Sequence, residues 1–284
     1  MLLPLWTACD KDVHENESHG LAVGMEWLDG IEPTDITSPV NLWIYDADGH
    51  EVEAHEFSSP RELASGLFSL PEGDYTLVGV CGLTEPYRYD YENGTRTADM
   101  LRVSLADPSA SPAHAVGGVA VASVTDTGVN LRSVIRVAPL LAELAVRING
   151  VPEGASLAVT VRNAATSLYP ARQGDDNSYI VPSAEKSEAH LPQAVADGGT
   201  ISAGARLMPT AQGETCTLLY LVMTFADGSR HEYTAEAPLM LAGKRYELAL
   251  EYDRMQPYMY ITATDINPWG EGWITSDDIF NPGI

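Results

Sequence analysis

Basic residues are scarce in this chain of 284 residues: 16 Lys and Arg stand against 40 Asp and Glu, a formal net charge of -24. A surface so negative repels phosphate backbones and anionic bilayers, which excludes nucleic acid as a partner. No run approaches the roughly 18 apolar residues of a membrane-spanning helix, so attachment to a bilayer needs another device. Cysteine is nearly missing, with Cys9, Cys81 and Cys216 alone and no C-x-x-C pair, so zinc and dithiol motifs have no support. The sequence also lacks a G-x-S-x-G elbow, a P-loop, a G-x-G-x-x-G turn and an H-E-x-x-H helix, and with them the common catalytic and cofactor signatures. No cofactor and no enzyme activity is expected. What is present is a 45% share of apolar residues, enough to build a core in spite of the charge. The length suits about two domains of ordinary size.

Strand signals dominate and long helical periodicity is scarce. Val40-Asn-Leu-Trp-Ile-Tyr45 and Glu51-Val-Glu-Ala-His-Glu-Phe57 flank Asp46-Ala-Asp-Gly49, which predicts a hairpin because Gly accepts positive φ. The device recurs where Tyr220 to Phe225 and Arg230 to Thr234 flank Ala226-Asp-Gly228. Pro60 to Gly66 is the short-helix candidate, with Ser59 as its cap. Leu70-Pro-Glu-Gly-Asp-Tyr75 turns into an apolar strand ending at Cys81, and the small, Pro-rich 106–113 stretch reads as a loop. Further strands are expected at 21–27, 134–137, 144–148, 157–162, 201–208, 216–225, 230–235, 245–252 and 258–264. Short strands between Gly, Pro and Asp turns predict an all-β chain of two tandem antiparallel β-sandwich domains. The division expected is a flexible acidic segment 1–19, a first sandwich 20–138 and a second 139–284.

Candidate sites are few. Tyr87-Arg-Tyr-Asp-Tyr91 places three tyrosines on one face of a strand, with Arg88 and Asp90 on the other. An exposed aromatic row binds sugar rings, whereas a half-buried one covers a core, and the second is the simpler reading. Asp46, Asp48 and Gly49 look like the start of a calcium loop. The later ligands do not follow in register, so the hairpin accounts for them. No metal site is expected there or at His50 and His55. Cys81 and Cys216 both fall in apparent strands; a disulfide is open to them in an oxidising compartment, but two small buried residues suffice. Asn93-Gly-Thr95 fits a glycosylation sequon and also, more simply, a turn. Trp269 is expected to plug the end of the second sandwich.

The front of the chain is the most informative part. Met1-Leu-Leu-Pro-Leu-Trp-Thr-Ala-Cys9 is a short apolar run ending in a small residue and a cysteine, and Asp10 to His19 is polar and acidic. That order resembles the end of a bacterial lipoprotein signal peptide, which implies a lipid on Cys9 as the only anchor. Three further motifs extend the likeness: Leu70-Pro-Glu-Gly-Asp-Tyr-Thr-Leu77, the run from Val134-Ile-Arg-Val-Ala-Pro139 to Leu144-Ala-Val-Arg-Ile-Asn-Gly-Val-Pro152, and Ile266-Asn-Pro-Trp-Gly-Glu-Gly272. Together they resemble the fimbrillin superfamily of Bacteroidales lipoproteins, in particular its anchor or accessory-subunit branch. The resemblance implies transthyretin-like sandwiches, a surface-exposed place on the outer membrane, and other fimbrial subunits as partners by strand addition. Stalk subunits of such a family are cut after an early arginine, which removes the leading strand. Here no arginine precedes Arg61, and Lys11 is the only earlier Lys or Arg. The strand at 21–27 is therefore expected to stay, favouring a lipid-held anchor or accessory subunit over a stalk. The alternative function is a surface lipoprotein that binds host or microbial glycans through Tyr87, Tyr89 and Tyr91.

Overall fold

A computed structural model describes residues 20–27, 39–108, 111–125, 131–174, 180–260 and 266–268. The first half runs β1 (Leu21–Trp27), β2 (Val40–Tyr45), β3 (Glu51–Phe57), α1 (Pro60–Ser65), β4 (Gly73–Cys81), β5 (Tyr87–Tyr91), β6 (Leu101–Leu105), β7 (Val116–Val124) and β8 (Leu131–Pro139). The second half continues with β9 (Ala142–Asn149), β10 (Ser156–Ala165), β11 (Ser167–Tyr169), β12 (Val181–Pro182), β13 (Lys186–His190) and β14 (Ala194–Val195). It closes with β15 (Thr200–Leu207), β16 (Thr217–Thr224), β17 (Arg230–Ala237), β18 (Arg245–Glu251), β19 (Tyr258–Tyr260) and β20 (Ile266–Pro268). The protein is all-β apart from α1 and three short 3-10 turns among the described residues.

The first sheet has the order β1-β8-β7-β4-β2-β3 and folds over itself. β8 pairs with β7 only at Val116–Pro139 and Gly117–Ala138, then crosses it. The crossing is close: a Cβ on Gly118 would stand 2.0 Å from the carbonyl oxygen of Arg136. A Cβ on Gly79 would likewise meet Met25 and Ile135, so β1 and β8 lie against the face of β4. Val40, Leu42 and Ile44 of β2, with Leu77 and Cys81 of β4, form one core with Leu21, Val23, Ile135 and Val137. The opposite faces of the same strands, Trp43, Tyr45, Val78 and Val80, pack on Tyr87, Leu101 and Val103. β2 is therefore covered on both faces and buried along its whole length. That explains why its sequence and the end of β4 read as nearly continuous apolar runs rather than clean alternations.

The second layer over β2 and β4 is a four-stranded sheet, β12-β11-β6-β5, to which the two halves of the chain each give two strands. Ser167 and Leu168 of β11 pair with Ser104 and Val103 of β6. Arg172 tightens this join by donating to the carbonyl oxygen of Asp99 at 2.9 Å and to Glu92 at 3.1 Å, while lying 3.4 Å over the Tyr169 ring.

Beyond it, a sheet β13-β10-β16-β17-β19 faces a sheet β15-β9-β18-β20. Alternate residues of each strand point between them: Leu144, Val146 and Ile148 from β9, Leu157, Val159 and Val161 from β10, and Leu219, Leu221 and Met223 from β16. Each such side chain, fully buried, stabilises the fold by about 1.5–3 kcal/mol before entropy is counted.

The hairpins of β2–β3 and β16–β17 form as expected, with Gly49 at φ 81 and Gly228 at φ 83. The helix α1 starts at its expected cap, Ser59, whose hydroxyl accepts from the Glu62 N–H. The pairing is not all antiparallel: β1–β8, β9–β18 and β17–β19 are parallel. Parallel neighbours need a long crossover, and turn signals report only on neighbours joined by a short loop.

Candidate functional site

The leading strand is built into the first core. Leu21 and Val23 of β1 are each 1% exposed, and β1 runs parallel to β8 from Leu21–Leu131 to Trp27–Val137. Its other edge is clasped at the first residue, where Leu21 and Phe68 exchange N–H···O bonds of 2.9 Å. The clasp is itself braced. Phe68 packs at a tilt against His55 at 5.3 Å and edge-on to Phe57 at 6.2 Å, while α1 drives Leu63 into the same core. Arg61 lies exposed in α1, so a cut behind it would discard β1, β2 and β3 together.

The tyrosine row does face one way, but its three rings meet different surroundings. Tyr87 is buried and donates to the carbonyl oxygen of Ala113 at 2.6 Å. Tyr91 is half-buried, with its hydroxyl 3.0 Å from that of Tyr45 and donating to Glu51, which Arg96 also holds at 2.7 Å. Tyr89 alone is open, at 46% exposure, and stands edge-on to Trp43 at 5.1 Å. The row thus covers the β2 face, and one ring of the three is left to meet a ligand. Burial raises the hydroxyl pKa of Tyr87 and Tyr45 well above the ordinary value, and burial with the Glu51 contact does the same for Tyr91.

A raised tyrosine pKa means that the native state favours the protonated phenol. That contribution to stability is complete below the unfolded value of about 10 and is lost progressively as pH rises from there towards the raised folded values. The denaturant midpoint is therefore expected to hold at neutral pH and to fall steeply above about pH 10. A midpoint that stays constant into that range would contradict the burial of these three rings.

At the first hairpin, Asp46 Oδ1 accepts from the N–H groups of Asp48 and His50 at 3.0 and 2.9 Å. Ligand atoms of Asp46, Asp48 and His50 all lie within 4.8 Å of one another, on an exposed turn that this hydrogen bonding already explains. Cys81 is buried in β4, and burial pushes its thiol up to about 12. Cys216 departs from expectation: it precedes β16, is only half-buried, and both thiols are free. Cys9 and Trp269 lie outside the described residues.

One constellation was not foreseen. Glu143 on β9 sits in register with Arg206 of β15 on one side and Arg245 of β18 on the other. Its Oε1 is 3.1 Å from Arg206 Nε and its Oε2 is 2.7 Å from Arg245 Nε, the second contact lying off the ideal hydrogen-bond direction. His114 comes within 3.6 Å. With Glu143 at 8% and Arg206 at 4% exposure, this is a buried ion cluster beside Pro139, where one half of the chain passes into the other. Its members are too distant in sequence to mark each other.

The all-β fold is shared with solved structures from Bacteroides and Porphyromonas species. A candidate adhesin from Bacteroides ovatus superposes with a TM-score of 0.59 at 13% identity, over 91% of this chain and 98% of the other. A candidate polysaccharide-binding protein from Bacteroides thetaiotaomicron gives 0.55 at 12%, over 89% and 99%. The fimbrial anchor protein Mfa2 from Porphyromonas gingivalis gives 0.55 at 12%, over 81% and 90%. No curated protein sequence matches the chain. The chain belongs to the Mfa2 family, the fimbrillin-A associated anchor proteins Mfa1 and Mfa2, whose profile matches residues 18–275.

Proposed function

We propose that this protein is a non-catalytic fimbrial anchor or accessory subunit, held on the outer membrane by lipid on Cys9 and exposed at the cell surface. Membership of an anchor-protein family supports the fimbrial role. The observation that carries the finer reading is β1. It is seated between β8 and Phe68 with Leu21 and Val23 buried, and no arginine precedes Arg61 at which a stalk-type cut would release it. No helix among the described residues is long and apolar enough to cross a membrane, so in this reading the lipid supplies the anchor. Two sandwich units meeting near residue 138 belong to the same reading, as does engagement of other subunits by strand addition.

Intact-mass analysis of the mature protein from its native host tests this. The expected result is an N-terminus at Cys9 with a lipid-sized increment, lost in Cys9→Ser, and a chain that retains β1. An N-terminus after Arg61 would overturn the retained strand, and an unmodified Met1 start would overturn the anchor. The exposed Tyr89 beside Trp43 favours a second reading, a surface lipoprotein that binds glycans. Reproducible glycan-array binding that disappears in Tyr89→Ala would establish it.

A further inference from the structure

We propose that Asn93 is a site of spontaneous covalent change, at which the folded protein converts an asparagine to aspartate and isoaspartate. The chain has two Asn-Gly pairs, Asn93-Gly94 and Asn149-Gly150, and the fold treats them oppositely. A glycine on the C-terminal side offers the least hindered backbone nitrogen for attack on the asparagine amide, so both pairs are chemically competent.

Asn93 stands exposed in the 3-10 turn Glu92–Gly94 that follows β5, at φ 56 and ψ 15. Nothing lies within 4 Å of where a Cβ on Gly94 would stand, and the same is true of Gly150, so the difference between the pairs lies in the asparagines and not in the glycines. The turn is closed by one long bond, Thr95 N–H to the Glu92 carbonyl oxygen at 3.3 Å, so reorienting Asn93 breaks little. Asn149 is the reverse case. It ends β9 between two partner strands, paired with Thr200 on one side and Glu251 on the other. Its Nδ2 donates to Glu251 at 3.1 Å and its Oδ1 accepts from Thr200 at 3.4 Å. Both ends of that amide are held, and the backbone cannot turn towards it without opening two ladders.

The step balances with water alone. The Gly94 backbone nitrogen gives up its proton and attacks Asn93 Cγ. The N–Cγ bond forms, the Cγ–Nδ2 bond breaks, and ammonia leaves carrying the proton, which closes a five-membered succinimide. Water then opens either carbonyl, giving aspartate or, with the backbone rerouted through the side chain, isoaspartate. Nothing is oxidised or reduced. The product places a new negative charge next to Glu92, the partner of Arg172 in the join between the two halves.

The test incubates the purified full chain at mildly alkaline pH, folded and in denaturant, and follows two tryptic peptides, Tyr89–Arg96 and Ile148–Arg162. In the folded protein, Asn93 is expected to gain the acid mass and the isoaspartate signature at least about tenfold faster than Asn149, whose held amide and backbone raise its barrier. In denaturant the two rates converge. Asn93→Gln abolishes the change in the first peptide. Folded Asn149 converting as fast as Asn93 would overturn the proposal. So would a folded Asn93 that stays intact while the denatured chain converts.

Discussion

Glu143→Ala is expected to lower stability by about 3–5 kcal/mol, because it removes the carboxylate shared by Arg206, which is buried, and Arg245, which is partly buried. For a chain of this size that corresponds to a fall of roughly 10 °C in Tm. The geometry sets the magnitude. Arg206 and Arg245 approach the two oxygens of Glu143 from the strands on either side, at 3.1 and 2.7 Å, and His114 adds a third nitrogen at 3.6 Å. Arg206 is 4% exposed, so water cannot replace the lost partner cheaply. Replacing Glu143, Arg206 and Arg245 together with apolar residues of similar volume should recover most of the loss, since charges that lose a shared counter-ion in a buried place cost more than an apolar filling of the same space. A thermal melt of the single variant that moves by less than about 1 kcal/mol would show that the cluster is wetter than its burial implies.

Gly118→Ala is expected to be nearly as damaging, at about 3 kcal/mol or more, although it adds one methyl group. That methyl would lie 2.0 Å from the Arg136 carbonyl oxygen and 2.8 Å from its carbon. Both are backbone atoms of β8, so relief comes only by lifting β8 from β7. β1 is paired to β8 and would lift with it. Limited proteolysis should then cut near residues 20–27 in the variant and not in the parent. Gly24→Ala is the matched control: its added Cβ meets nothing nearer than an Arg132 nitrogen at 3.7 Å, and its effect should stay within about 1 kcal/mol. Equal effects from the two substitutions would mean that the crossing is not a tight contact.

The sequence carried the strands well because their signals are local. Asp46 to Gly49 makes a hairpin from its own turn chemistry, and Ser59-Pro60 starts a helix with its own cap. The alternation in Leu144-Ala-Val-Arg-Ile148 points inward residues at a core whichever core it is. What stayed illegible depends on partners far along the chain. The parallel placing of β1 on β8 and of β18 on β9 has no turn to announce it. Nor does anything near Ser167 say that β11 will complete a sheet begun by β5 and β6. The tyrosine row shows the boundary within one motif: its alternation was readable, but which ring stays open depends on Trp43, Tyr45 and Glu51 across the layer. Glu143 is the extreme case, an ordinary acid in an alternating strand until β15 and β18 bring an arginine to each side.

The direction in which β1 lies on β8 has a mechanical consequence. In the lipid-anchored reading proposed above, a tether ahead of Leu21 would pull on β1 at its first residue. A load carried by the second half reaches β8 at its last residues, through Pro139 and β9. Because the strands are parallel, those two points are at opposite ends of the ladder from Leu21–Leu131 to Trp27–Val137. The pull runs along the strands and stresses the whole row of backbone bonds at once. Had β1 lain antiparallel, the same pull would have peeled the bonds away one at a time.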